Sequence, residues 1–382
     1  MARFYLPNKE QFARLNAQLE NIATALGTQM EVSTWTDIQK VVRAGVAPDV
    51  LPIGTQLSVT HRDYGDILCD VVAHNYFKSA YDENAPTMTL LCHDIIATMQ
   101  YDAPEAFYYA SSGLSAGTYN FTIATTANSW AKGTYQFTLT KALVAGGQLC
   151  ISGNTGTALT SLQVVTYEGE HSTNIIESVS IVSGNGGTSL GTMGVELNHP
   201  DRVSYGSDNY KDSAIRQFLN SPLNAGVGLT WRSKNKYDRP PSWVNSLAGF
   251  AGGFDDEFLS GVGEVVVRCS TNNVYECSDY TDFPTEAGQK YTLTDKFYLP
   301  SQTELFGTST TLVSDDSILF PYYEGATSAD RVKYLKSTAN HWWTRSPRSI
   351  SPTLMHVVVR DGGLSNHNTS NNYGCVPAFT IV

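Results

Sequence analysis

The chain reads as an α+β protein: helices at its N-terminus, a mixed body of short strands and helices, and an all-β sandwich inserted into that body. Three observations point there. Residues 113–192 carry few charges, Lys132, Lys141, Glu168, Glu170 and Glu177, and within them "TYNFTI" and "TYQFTLT" alternate with the period of a strand. Upstream, Phe12, Leu15, Leu19, Ile22 and Leu26 follow the 3-4-3-4 spacing of a helix seam. Downstream, charge returns and strand patterns again alternate with helix starts.

At the N-terminus, Asn8 and Gln11 form a capping pair and Gly27 stops the helix. Two heptads fit either a short oligomerising stalk or a helix packed on its own domain, and both readings stand. "STWTDIQKVVRAG" predicts a second helix with Trp35, Ile38, Val41 and Val42 on one side and Gly45 at its end. "GTQLSVTHRD", "DILCDVVAHNYF" and "TMTLLCHDII" read as strands, and "YDAPEAFYYA" as the start of a helix.

In the charge-poor stretch, Tyr119, Phe121 and Ile123 share one strand face, as do Tyr135, Phe137 and Leu139, with turns at "AGG" and "GNGG". This predicts an inserted immunoglobulin-like sandwich. Beyond it, "SAIRQFLNS" has the i, i+3, i+4 pattern of a helix at Ile215, Phe218 and Leu219. "KFYLPSQTELFG" gives a strand, then a helix opened by Ser301 and Glu304. The expected organisation is a helical attachment segment at 1–50, a body formed by 51–112 plus 193–382, and the insertion at 113–192.

The 382 residues are 41% hydrophobic and 16% charged, with 21 Tyr, 31 Gly and a formal charge of −11. That balance excludes a disordered chain and argues against a nucleic-acid partner, which calls for clustered Lys and Arg. "MARFYLPNKEQFARL" has no basic segment leading into an apolar stretch, and no window reaches the ~18 apolar residues of a membrane span. The expectation is therefore no export signal and no membrane insertion. Cys69, Cys92, Cys150, Cys269, Cys277 and Cys375 form no C-x-x-C pair, which favours buried free thiols over zinc. A Cys269–Cys277 hairpin bridge stays open in an oxidising environment.

"SAIRQFLNS", "KFYLPSQTELFG", "WWTRSP" and "GCVPAFTIV", in that order, resemble a domain of phage and bacterial proteins with a C-type-lectin-like fold of the formylglycine-generating-enzyme type. The resemblance covers Leu51–Ser112 and Val195–Val382. The N-terminal helices and the inserted module are similar to tail-fibre or receptor-binding proteins of phages that infect gut bacteria. Some members of this group are variable proteins of diversity-generating retroelements, whose C-terminal segment is rewritten at adenine-containing codons. The chain departs from the family at Cys375, where relatives mostly carry Arg.

The resemblance implies a virion protein at the tail-fibre tip, made in the bacterial cytoplasm, that recognises a host-cell surface protein or glycan. It also implies a homo-oligomer, with a trimer favoured for avidity, contacts with other virion tail proteins, no cofactor and no enzymatic role. The segment 341–379 suits this reading. Trp342, Trp343 and Phe379, with Val357 and Val359, read as buried anchors, and the resemblance implies that Arg345 is a structural arginine held by carbonyls or a carboxylate rather than a catalytic cation. Asp361, Gly362 and Gly363 make a tight turn. "SNHNTSNNYG" then reads as an outward loop between fixed ends, where substitution costs little. The expected ligand-binding residues are Arg348, Ser349, Ile350, Ser351, Thr353, Asn366, His367, Asn368, Thr369, Asn371, Asn372 and Tyr373, whose side chains make adaptable polar contacts. The plain alternative is a solvated loop.

Rival sites are weaker. The triplets E-P-N, Q-P-D and W-N-D of calcium-dependent sugar binding are absent. Asp255, Asp256 and Glu257 suit either a hard cation or a solvated acidic turn. His341, His356 and His367 match no zinc spacing. Cys375 lacks a partner cysteine for the chemistry of the fold's enzymatic branch, and no carboxylate pair, G-x-S-x-G or phosphate loop stands out. Two alternatives remain beside recognition: a purely structural fibre protein and a glycan-cleaving tail enzyme.

Overall fold

The computed structural model describes residues 34–124, 131–155, 158–168, 172–193, 200–222, 233, 235–272, 288–308 and 315–382. The heptad seam at 12–26 and Cys277 lie outside them.

The expected α+β class is corrected: the fold is β-rich. Among the described residues 41% are in strands and 18% in helices, spread over several sheets. The reason is local. The longest described helix, Trp35–Arg43, has nine residues, and the others are single turns or two, such as Ala214–Asn220 and Gln302–Phe306. Helix starts are well specified, but each meets a stop within three turns. Gln302–Phe306 opens with a complete Ser301–Glu304 capping box and ends at Gly307 in the left-handed conformation.

The Trp35–Arg43 helix, capped by Thr34, buries Ile38, Val41 and Val42. Trp35 meets Phe258 edge-on at 4.8 Å between centroids. Ile38 to Leu51 join the same core as Val357, Phe379 and Ile381, so residue 50 does not separate two cores.

Two five-stranded sheets frame that core. The first runs in the order Gln56–His61, Gly65–His74, Met88–Cys92, Ala378–Ile381, Phe297–Tyr298. The second runs Leu364–Asn368, Leu354–Val358, Trp342–Pro347, Asn372–Cys375, Ala97–Gln100. The chain's last strand thus lies inside the first sheet, paired with Met88–Cys92 on one side and Phe297–Tyr298 on the other.

A second core lies under two four-stranded sheets that include Gly117–Ile123 and Gly133–Leu139. Phe121, Ile123, Phe137 and Leu139 are at most 2% exposed there. Tyr119 and Tyr135 each donate their hydroxyl to the carbonyl four residues upstream, Ser115 at 2.9 Å and Ala131 at 2.7 Å, which fixes where each strand begins. The helix expected at "YDAPEAFYYA" is absent. Phe107 donates its N–H to Leu149 and Ala106 to Tyr237, and Tyr108–Ala110 pairs with the Gly147–Thr155 strand. Pro104 cannot donate to a helix ladder, and Phe107 gains full burial in the second core instead. No helix among the described residues is long and apolar enough to cross a membrane.

Candidate functional site

The closing strands build the site on the second sheet. Trp342 and Trp343 are fully buried, and each indole N–H is satisfied: Trp342 donates to the Arg331 carbonyl at 3.1 Å and Trp343 to Met99 at 2.9 Å. Adjacent strand residues face opposite sides, so the two rings fix the strand from both faces. Arg345, 1% exposed, donates Nε to the Arg268 carbonyl at 2.9 Å and Nη1 to Leu299 at 2.7 Å. Its fork closes on the Glu304 carboxylate, linking this strand to the Gln302–Phe306 helix.

"SNHNTSNNYG" is not the outward loop expected. Leu364–Asn368 is a strand paired with Leu354–Val358, and Asn372–Cys375 pairs with both Trp342–Pro347 and Ala97–Gln100. Only residues 369–371 turn, and that turn is fastened. Thr369, fully buried, donates its hydroxyl to the Tyr205 carbonyl and its N–H to Thr353, while its own carbonyl accepts from Tyr101 and Asp102. Gln100 donates its side-chain amide to the Ser370 carbonyl at 2.8 Å.

The predicted contact residues divide accordingly. Thr353 and Thr369 are fully buried and Ser351 is 9% exposed, so these three are corrected from contact residues to internal supports. Ser351 accepts from the Thr353 N–H, and the intervening Pro352 carbonyl accepts from Asp208 N–H at 3.1 Å, which ties the 348–353 turn to the body. Ile350, at 65%, and Asn372 are exposed. Arg348, Ser349, Asn366, His367, Asn368, Asn371 and Tyr373 are half-buried. Two hydrogen bonds link members of this set: Arg348 donates to Asn366 at 3.1 Å, and Asn371 donates to the Tyr373 hydroxyl at 3.3 Å. Leu364–Asn368 forms the margin of the sheet, whereas Asn372–Cys375 lies further in, between Trp342–Pro347 and Ala97–Gln100.

His341, His367 and Tyr373 form an aromatic cluster beside this margin, with centroids 5.0 to 5.5 Å apart, backed by Trp343 at 5.0 Å from Tyr373. Burial, then His367 and Arg360, hold the His341 imidazole below its ordinary value, and burial alone lowers His367. Arg348 is the charged side chain among the nine, and Arg360 and Asp361, both exposed, stand close enough to His341 to act on its imidazole. His356 faces away into the protein, 5% exposed, and donates to the Ser365 carbonyl.

The acidic turn has other work. Asp255 caps the Asp256–Gly261 helix, and Glu257 accepts from the Thr36 N–H and hydroxyl at 3.1 and 2.9 Å, holding the Trp35–Arg43 helix.

Sequence reasoning missed a buried polar cluster beneath the 369–371 turn. Candidate ligand oxygens of Asp102, Glu105 and Asp238 lie within 4.8 Å of one another, a span that oxygen ligands of a hard cation can bridge. Arg202 already donates to Glu105 at 2.7 Å, both fully enclosed. Asp208, its carboxyl raised by burial, accepts from Asn272 at 2.7 Å. Asp102 and Glu105 share one segment, but Arg202, Asp208, Asp238 and Asn272 come from distant ones, so no local spacing joins the cluster.

The model of a family described as a domain of unknown function (DUF6273) matches residues 177–382, more than half of the chain. No curated protein and no solved structure matches it.

Proposed function

We propose that this chain, which belongs to the DUF6273 family, is a non-enzymatic recognition protein that offers residues Arg348–Ile350, Asn366–Asn368 and Asn371–Tyr373 to a ligand on a host cell. One observation carries the reading. Polar side chains lie half-exposed on the edge strand Leu364–Asn368 and at Asn371 and Tyr373, while Trp342, Trp343, Arg345 and Thr369 are buried and hydrogen-bonded. Such a margin can exchange side chains at little cost to the framework, and Asn, His and Tyr make adaptable contacts.

The ordered motifs quoted above support placing the protein among phage tail-fibre or receptor-binding proteins, some of which are diversified by retroelements. A near-copy of the coding segment for 341–379 beside a reverse transcriptase gene would support diversification. The hydrolase alternative is less well supported: glycan cleavage needs two carboxylates facing a substrate, and the carboxylate cluster at Asp102, Glu105 and Asp238 is at most 1% exposed.

The test is binding of the labelled full-length chain to a panel of intact gut bacterial strains. Replacing all of 365–374 with Gly and Ser would remove two strands and the Thr369 anchor, so the informative variant is Ile350→Ala, Asn366→Ala, Asn368→Ala and Asn372→Ala together. Retention on at least one strain, lost in this variant while its urea midpoint is kept, is expected. Equal retention by both proteins, or shortening of cell polysaccharide by the chain, would refute the reading.

A further inference from the structure

In the first sheet, Cys69 on Gly65–His74 stands directly opposite Cys92 on Met88–Cys92, and both are free and fully buried. The ladder geometry defines their relation. Cys92 donates its N–H away from Cys69, to the Pro377 carbonyl at 2.9 Å, while the next residue, His93, donates to Leu68 at 2.8 Å. Cys69 and Cys92 therefore occupy a non-hydrogen-bonded position of the antiparallel pair. Paired Cα atoms at such positions stand about 4.5 Å apart, inside the roughly 4.4–6.8 Å that a disulfide accepts. In the reduced form the Cys69 thiol donates to the Ile67 carbonyl at 3.9 Å.

A buried cation stands beside them. Lys333, 3% exposed, donates its ammonium to the Cys92 carbonyl at 3.0 Å and lies 3.8 Å from the Asp70 carboxylate. Burial, then the second thiol, pushes the Cys69 thiol up, and the Lys333 charge opposes that shift. The Lys333 charge thus favours the Cys69 thiolate during exchange.

We infer that Cys69 and Cys92 are an oxidisable pair that closes a reversible cross-strand disulfide when the chain meets a low-molecular-weight disulfide. One cysteine thiolate attacks the external disulfide and releases one external thiol. The second cysteine gives up its proton, attacks the mixed disulfide and releases the other thiol. Two protein S–H bonds become one S–S bond, and the external S–S bond becomes two S–H bonds, so two electrons and two hydrogens leave the protein. Because both sulfurs are enclosed, exchange follows local opening of the sheet and is slow. Once formed, the bond staples the strand that pairs with Ala378–Ile381, the end of the chain that carries the recognition margin. This inference is independent of what the margin binds.

The test uses the full-length wild-type protein, equilibrated over a series of oxidised-to-reduced glutathione ratios, alkylated with iodoacetamide and mapped by non-reducing peptide mass spectrometry. The expected result is a Cys69–Cys92 linked peptide that grows with the oxidised fraction, an intact mass lower by two hydrogens, and full reversal by dithiothreitol. Cys69→Ala should abolish the link and leave Cys92 alkylated. Should that variant fail to fold, the wild-type map still decides. Absence of the link at the most oxidising ratio, or a link that joins Cys92 to Cys375 or to any other cysteine, overturns the inference.

Discussion

Arg345 and Glu304 meet as a buried fork, with Nη1 2.7 Å from Oε2 and both side chains at most 1% exposed. This pair joins the strand that holds the two tryptophans to the capping-box helix. Arg345→Ala leaves an enclosed carboxylate without its countercharge, and the expected loss is about 3–5 kcal/mol. Arg345→Lys loses the fork and its two carbonyl contacts and is expected to fall between. Urea unfolding of the two variants checks this, and a loss below about 1 kcal/mol for the alanine would show the pair to be dispensable.

The histidine cluster predicts a pH effect. His341 and His367 have folded values below 6.5 because burial disfavours their charged forms. The unfolded chain therefore takes up protons first as pH falls below 6.5, so the stability linked to these groups is full above that value and is lost on acidification. His61 and His74 are also lowered by burial, so a His341→Asn, His367→Asn variant should flatten the acid loss without abolishing it. Urea midpoints at matched pH values measure the difference. Parallel curves for the two proteins would contradict the assignment.

Gly362 turns the hairpin between Leu354–Val358 and Leu364–Asn368 with φ +80°, and a Cβ there would stand 1.6 Å from the Ser328 carbonyl oxygen. Both the backbone conformation and the contact exclude a side chain. Gly362→Ala is expected to cost more than about 1–3 kcal/mol. At Gly363 the nearest atom to a Cβ is the Asp361 carboxylate at 3.1 Å, so Gly363→Ala should cost clearly less. Thermal unfolding of the pair checks the order, and equal losses would contradict it.

What the sequence disclosed follows from distance along the chain. The Ser301–Glu304 box, the Ala214–Asn220 helix and the tyrosine faces of the second core were readable because their determinants lie within a few residues. The balance of strand over helix was not, because short helix starts look the same whether they continue or stop. "SNHNTSNNYG" read as a loop because its strand partners carry the apolar residues, Met355 opposite His367 and Val357 opposite Ser365. Thr369 looks like its polar neighbours in the sequence, and its role lies in partners far along the chain, Tyr101, Asp102 and Tyr205, the last 164 positions away. Cys69 and Cys92 lie on separate strands, and nothing short of the register makes them opposite.

The central claim is a division of labour between neighbours of similar chemistry: Ile350, Asn366 and Asn372 can change, whereas Thr353 and Thr369 cannot. The most direct measurement is the urea midpoint of each single alanine variant. The account predicts losses within about 0.5 kcal/mol for the first three and about 1–3 kcal/mol for the two threonines, whose removal leaves enclosed partners unsatisfied. Equal losses in both groups would contradict it.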